Sequence, residues 1–302
     1  MPTAQARFGW KKDKYDPDPK VLHKRTMKAV RDEVDLFEWL PKEVWDQLAG
    51  DCVGMTFSNY LAWLAIKYNL FDKSGRFSPT WIYNGARYKE GSLPYDDGCY
   101  PDDAADWLVE KGGLPLAFWP YIGFEKRTPP SSLEPEAAKW PVLKKVRIAG
   151  GIDGILDVMS NLGLPVAIGT PWYDEWLNPG SDGKLPAPDN SFSIAGGHET
   201  LLYRYSKLIN MAKGRNSWSK KYGDAGDYWM PFSSFTQFKV DGGYDAHYIT
   251  VEWVDTPPEP PEPPQPPEPD PGNSCWKASA YKRMTEVLSG GRYTITRKEV
   301  TK

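Results

Sequence analysis

Sixteen residues near the C-terminus, Pro257 to Gly272, contain ten prolines in a Pro-Pro-Glu-like repeat. Each proline fixes φ and removes a backbone donor, so the stretch enters neither a helix nor the interior of a sheet. The chain must therefore form its core on one side of this run. As polyproline II at about 3.1 Å per residue, the run spans roughly 45–50 Å and reads as a stiff spacer. It divides the chain into a body, residues 1–256, a linker, 257–272, and a tail, 273–302. The tail carries seven Lys or Arg against Glu286 and Glu299. A helix capped by Ser274 and a short strand from Arg292 to Thr296 are expected there, but thirty residues bury little by themselves. The tail is expected to dock, on the body or on a protein partner.

The body changes texture along its length. Helical signals come first, over Cys52–Tyr68 with Asn69 as a stop, Pro79–Glu90 and Asp102–Lys111, each of the last two entered through Pro or a capping residue. The first has Phe57, Leu61, Leu64 and Ile66 on a broad apolar face. A Lys/Arg-rich helix is also expected after His23. One further helix, Ile152–Leu162, precedes strand signals at Leu164–Gly169, Glu199–Tyr205, Lys207–Ala212, Asp227–Met230 and Ala246–Trp253. Helices followed by strands predict an α+β body of two unlike halves with a cleft between them.

Three cysteines in 302 residues, odd in number and far apart, do not form a disulfide framework. No N-terminal apolar run resembles a signal-peptide core and no window is long enough to span a membrane, so a cytoplasmic chain is expected. A net charge of −3 argues against a general nucleic-acid or membrane-surface binder. No metal or cofactor motif is present.

The chemistry-bearing residues are few. Cys52 follows Gly50-Asp51 at the predicted start of a helix, where the helix dipole favours thiolate and Asp51 is placed to cap the turn. The Asp51 charge opposes that effect. Of three histidines, His23 reads as a surface residue and His247 as structural. His198 follows Ala195-Gly196-Gly197, whose missing side chains leave room for a ligand, and it opens an apolar strand. Asn216 comes one predicted strand later in Arg215-Asn216-Ser217-Trp218, so a hairpin brings amide and imidazole together, with Trp218 covering them. A thiol, an imidazole and a group that orients the imidazole are what nucleophilic thiol chemistry needs.

These segments resemble the papain-like cysteine peptidases, in the branch with bacterial and viral members. The matching pieces are Gln47…Gly50-Asp51-Cys52, Gly197-His198-Glu199 and Asn216-Ser217-Trp218…Tyr222-Gly223-Asp224-Ala225-Gly226. Weaker matches are Arg7-Phe8-Gly9-Trp10, Phe77-Ser78-Pro79…Tyr83, and Asp97-Gly98…Asp102 leading to Trp119-Pro120-Tyr121. His198 and Asn216 follow Cys52 in the family's order, near or slightly past its usual separation of about 130–150 residues. The resemblance implies a two-lobed fold, a helical lobe followed by an antiparallel β-barrel-like lobe. It implies a cysteine endopeptidase acting on polypeptides without a cofactor. Cys52 would be nucleophile, His198 base and acid, Asn216 the orienting group, and Gln47 with the Cys52 N–H the oxyanion hole. Trp218 would support the pair, and Gly98 and Gly197 would line the substrate cleft. Gln47 is five residues before Cys52 rather than six, Asp51 replaces a small residue, and Tyr222 stands where Trp is usual. Some fifty residues before Cys52 are fewer than the inhibitory segment of secreted relatives, so control is expected from the tail, a partner or restricted access. The spacer and basic tail support a second reading, a papain-fold component of a larger assembly such as a virus particle, with weak or no catalysis.

Overall fold

In the computed structural model, residues 8–14, 22–23, 25–26 and 28–253 are described. The linker and tail lie outside them. Helix α1 spans Cys52–Lys67, α2 Pro79–Glu90 and α3 Pro101–Lys111. Local chemistry accounts for these bounds. Ser78 Oγ accepts a hydrogen bond from the Trp81 N–H (3.2 Å). Pro79 occupies the first turn of α2, which ends at Gly91 with φ of 78°. Pro101 opens α3 with Asp102 and Asp103 in its first turn, where they complement the helix dipole. Helix α1 stops where Asn69 adopts φ of 57°.

Helix α1 is buried on all sides from Cys52 to Ile66, not along one face. It is enclosed by α2 and α3 on one flank and by the sheet on the other. Two of its polar side chains are bonded inside the core: Ser58 Oγ donates to Phe77 O (2.7 Å) and Asn59 Oδ1 accepts from Arg76 (3.1 Å). Trp81 of α2 is wholly buried, its ring 5.0 Å from that of Trp107 and its Nε1 donating to Gly112 O at 3.0 Å. Trp81→Ala is expected to cost about 3–5 kcal/mol, read as a lowered urea midpoint, because it leaves a cavity and an orphaned carbonyl.

The sheet is open and mostly antiparallel. Its strands are β1 (Leu22–His23), β2 (Glu33–Asp35), β3 (Val142–Ile148), β4 (Val166–Tyr173), β5 (Ile194–Ser206), β6 (Met211–Arg215), β7 (Asp227–Pro231) and β8 (Asp245–Val251). The order is β1-β3-β8-β4-β5-β6-β7, with β2 added to β5. The β1–β3 pair is parallel and the sheet does not close into a barrel. Two expectations are corrected. Lys207–Asn210 forms the turn before β6, with Asn210 at φ of 54°, so the hairpin strand starts at Met211. His23 belongs to a strand, not the surface ahead of a helix, and its Nε2 lies 2.8 Å from Asp157 Oδ2. The helix expected over Ile152–Leu162 has those bounds, α-helical to Asp157 and π-helical over Val158–Leu162. Among the described residues, no helix is long and apolar enough to cross a membrane.

Candidate active site

Cys52 is the first residue of α1, His198 lies in β5 and Asn216 directly follows β6. The β5–β6 register, Leu201 opposite Arg215, brings His198 and Asn216 to the same end of the hairpin. His198 Nε2 and Asn216 Oδ1 are 2.8 Å apart. The same Oδ1 accepts from the Ser217 N–H (2.7 Å), which identifies it as the acceptor. Nε2 therefore carries the proton, and in the neutral imidazole the basic lone pair is on Nδ1. Trp218 stacks on the imidazole at 4.4 Å and Trp172 meets it edge-on at 4.9 Å, so the pair sits in a dry aromatic box.

Helix α1 packs on β5, and the backbone N–H groups of Glu199, one residue past His198, and of Gly9 are near enough to the Cys52 thiol to favour its thiolate. Burial pushes the thiol well above its ordinary range. The charges of Glu199 and Asp51 add to that, and the two backbone donors only partly oppose it. Gln47 is pinned on both sides. Its Oε1 accepts from Ser217 Oγ (2.7 Å), its Nε2 donates to Ala49 O (2.6 Å), and its N–H donates to Ser217 O (2.8 Å). The Asn-Ser-Trp segment thus positions both His198 and Gln47.

Asp51 departs from expectation. Its side chain makes no capping bond to α1. The carboxyl is buried beside Tyr121 and Asp96, and burial, with the Asp96 charge adding, pushes it up from 3.8 to about 7. An acid raised on folding is bound to its proton in the native state where the unfolded chain has lost it. Its ionisation thus removes stability as pH rises from about 4 to about 7. Asp51→Asn is expected to match the wild-type melting temperature at pH 4 and to exceed it at pH 8, by differential scanning calorimetry.

Access to the site is restricted by the chain itself. Residues 8–13 lie across it. The Gly9 and Trp10 N–H groups both donate to Gly197 O (3.1 Å each), Cys99 N–H donates to Gly9 O (2.8 Å), and Lys11 N–H donates to Cys99 O (3.1 Å). The Trp10–Cys99 pairing is parallel. A Cβ on Gly98, itself at φ of 83°, would collide with Gly9 O, so only glycine admits the segment there. The Phe8 ring packs edge-on to His198 (6.2 Å) and Trp218 (5.8 Å). The room left by Gly196 and Gly197 is taken by Phe8 and Trp10. Cys52, His198 and Asn216 are each 0% exposed as a result of this cover and the surrounding core.

No protein-family model matches the chain, and no curated protein matches it. Solved structures do. Xylellain, a cysteine protease from Xylella fastidiosa, superposes with a TM-score of 0.73 at 24% identity over 82% of this chain and 97% of that one. The chain has the papain-like cysteine peptidase fold. The papain-like likeness extends to procathepsin B S9 of Trypanosoma congolense (TM-score 0.62, 13% identity, 82% and 87% covered). It extends also to the bromelain protease of Ananas comosus in complex with the E64 inhibitor (0.54, 17%, 74% and 100%). At these identities the papain-like likeness is one of fold.

Elsewhere among the described residues, Asp13, Asp102 and His247 form the one group spaced to hold a metal ion. Arg147 pairs with both aspartates and Lys145 with Asp102, so cations already occupy the neighbourhood and an ion-pair network accounts for the cluster. His247 Nε2 lies 3.1 and 3.2 Å from the two carboxylates, which with their charge raise it to about 10 although burial opposes this. Its structural role, expected from its strand, rests on these pairs.

Proposed function

We propose that the protein is a cysteine endopeptidase in which Cys52 attacks the scissile carbonyl, His198 moves the proton and Asn216 holds the imidazole. The observation that carries this reading is the 2.8 Å contact of His198 Nε2 with Asn216 Oδ1 beneath Trp218, on the strand that packs against the helix opened by Cys52. With Nε2–H committed to Asn216, Nδ1 is the nitrogen that takes the thiol proton. Thiolate attack on the substrate carbonyl forms a C–S bond. The oxyanion is bound by the Cys52 N–H and the Gln47 amide, donors worth about 3 kcal/mol each in a barrier. The tetrahedral intermediate collapses to an acyl-thioester as His198 gives its proton to the leaving amine. His198 then takes a proton from water, which hydrolyses the thioester and restores the thiol.

The test is covalent labelling with an epoxysuccinyl inhibitor beside cleavage of denatured protein. Wild type is expected to do both and Cys52→Ala neither. A wild-type protein that neither labels nor cleaves would leave the assembly reading, in which the fold binds without catalysis. Asn216→Ala is expected to retain the label and lose roughly 10²-fold in kcat, because the imidazole keeps its place in the aromatic box but loses its tautomer.

A further inference from the structure

The side chain of Trp10 occupies a socket whose chemistry does not suit an indole alone. Its floor is Gly169 of β4, where a Cβ would collide with Trp10 Nε1. Gly169 is flanked in register by Glu199 on β5 and Asp245 on β8, so both carboxyl-bearing residues stand on the same face of the sheet, one on each side of the ring. Asp245 Oδ2 accepts from Trp10 Nε1 (3.0 Å) and from the Asp13 N–H (2.8 Å), both supplied by the covering segment. Glu199 is 1% exposed, and neither of its oxygens has a hydrogen-bond partner among the described residues. An ionised buried carboxyl without partners is costly, and a cation or a donor offsets that cost. The His247 charge favours Glu199's ionised form without bonding to it, since its Nε2 lies between Asp13 and Asp102; Arg147 is held by Asp102, and Lys145 by Asp102 and Asp106.

We infer that the socket under Trp10 is a substrate side-chain pocket for lysine or arginine, with Glu199 and Asp245 as its specificity-determining residues. A basic side chain lays its methylenes on the Gly169 floor, where the indole now lies, and puts its charged head between the two carboxyls. Departure of the segment strips Asp245 of both donors, so the vacated socket holds two unsatisfied acids. Burial raises both acids, Asp245 to about 6 with the Asp13 charge adding, and an incoming cation reverses that cost by ion pairing.

The inference rests on the peptidase reading for the word substrate, but the pocket is testable without catalysis. Full-length Trp10→Ala/Cys52→Ala protein is titrated calorimetrically with acetyl-Gly-Arg-Gly-Gly-amide and with its norleucine counterpart. The arginine peptide is expected to bind at least tenfold tighter. With Glu199→Gln and Asp245→Asn added, the gap is expected to fall below twofold. The single variants, checked by near-UV circular dichroism, guard against a double variant that fails to fold. Equal affinity for the two peptides, no binding of either, or a gap that survives in a folded Glu199→Gln or Asp245→Asn protein overturns the pocket. In parallel, wild-type protein is given proteome-derived peptides, and basic residues are expected to be enriched at one subsite. Cleavage without any basic preference defeats the pocket alone. A basic preference in binding without cleavage defeats the peptidase reading alone.

Discussion

His198→Ala is expected to lower kcat/KM for peptide cleavage by at least about 10³-fold and to abolish thiol labelling at neutral pH. The reason lies in the thiol. Burial and the charges of Glu199 and Asp51 hold Cys52 well above its ordinary range, so the helix N-terminus and two backbone donors do not ionise it unaided. Only a base within the site removes that proton at neutral pH, and Nδ1 of His198 is the nitrogen left basic by the bond to Asn216. Labelling in His198→Ala is accordingly expected to return as pH is raised far enough to ionise the thiol directly. The measurement is the alkylation rate of Cys52 against pH in wild type and variant, with the mass of the labelled peptide confirming the site. Equal rates at pH 7 would mean that the imidazole does not activate the sulfur.

How far these features were legible in the sequence depended on what carried them. Pro79–Glu90 was readable to the residue because Ser78, Pro79 and Gly91 act locally. The pairing of His198 with Asn216 was readable because one hairpin joins them. Its strand bounds were not, since Lys207–Asn210 has the apolar content of a strand and turns only through the backbone of Asn210. Strands β1 and β2 carry too few residues for a period to register, and are fixed by pairing with β3 and β5, far along the chain. The burial of Asp51 was opaque for a related reason: Tyr121 and Asp96 reach it from separate loops. Hardest to foresee was the segment over the site. Phe8-Gly9-Trp10 matches the family's pattern weakly but has no periodicity, and the backbone bonds to Gly197 and Cys99 that lay it over the site leave no mark in its side chains. The glycines offered the one available signal, since Gly98, Gly169, Gly196 and Gly197 all face that segment.

Trp10→Ala in the full-length protein is expected to speed Cys52 alkylation by roughly 10- to 100-fold. The segment is latched at two places. Backbone bonds to Gly197 and Cys99 are unaffected by the substitution, and so are the Lys11 contacts with Glu90 (2.8 Å) and Asp97 (3.3 Å). The indole supplies the rest, as buried aromatic surface on Gly169 and the bond to Asp245. Lysine pairs at the surface hold weakly, at about 0–1 kcal/mol, whereas removing a fully buried aromatic costs about 3–5 kcal/mol and the partly buried Trp10 somewhat less. Part of that cost falls on the segment's own docking, and every ~1.4 kcal/mol is tenfold in the open population, which sets the expected range. Phe8→Ala tests the other end. Its ring rests edge-on against His198 and Trp218 without a polar bond, so a smaller gain is expected. Hydrogen exchange of the Gly9 and Cys99 amides reports the same opening independently of the sulfur. If alkylation accelerates while those amides stay protected, the indole guards the thiol directly, and the segment does not lift as a unit.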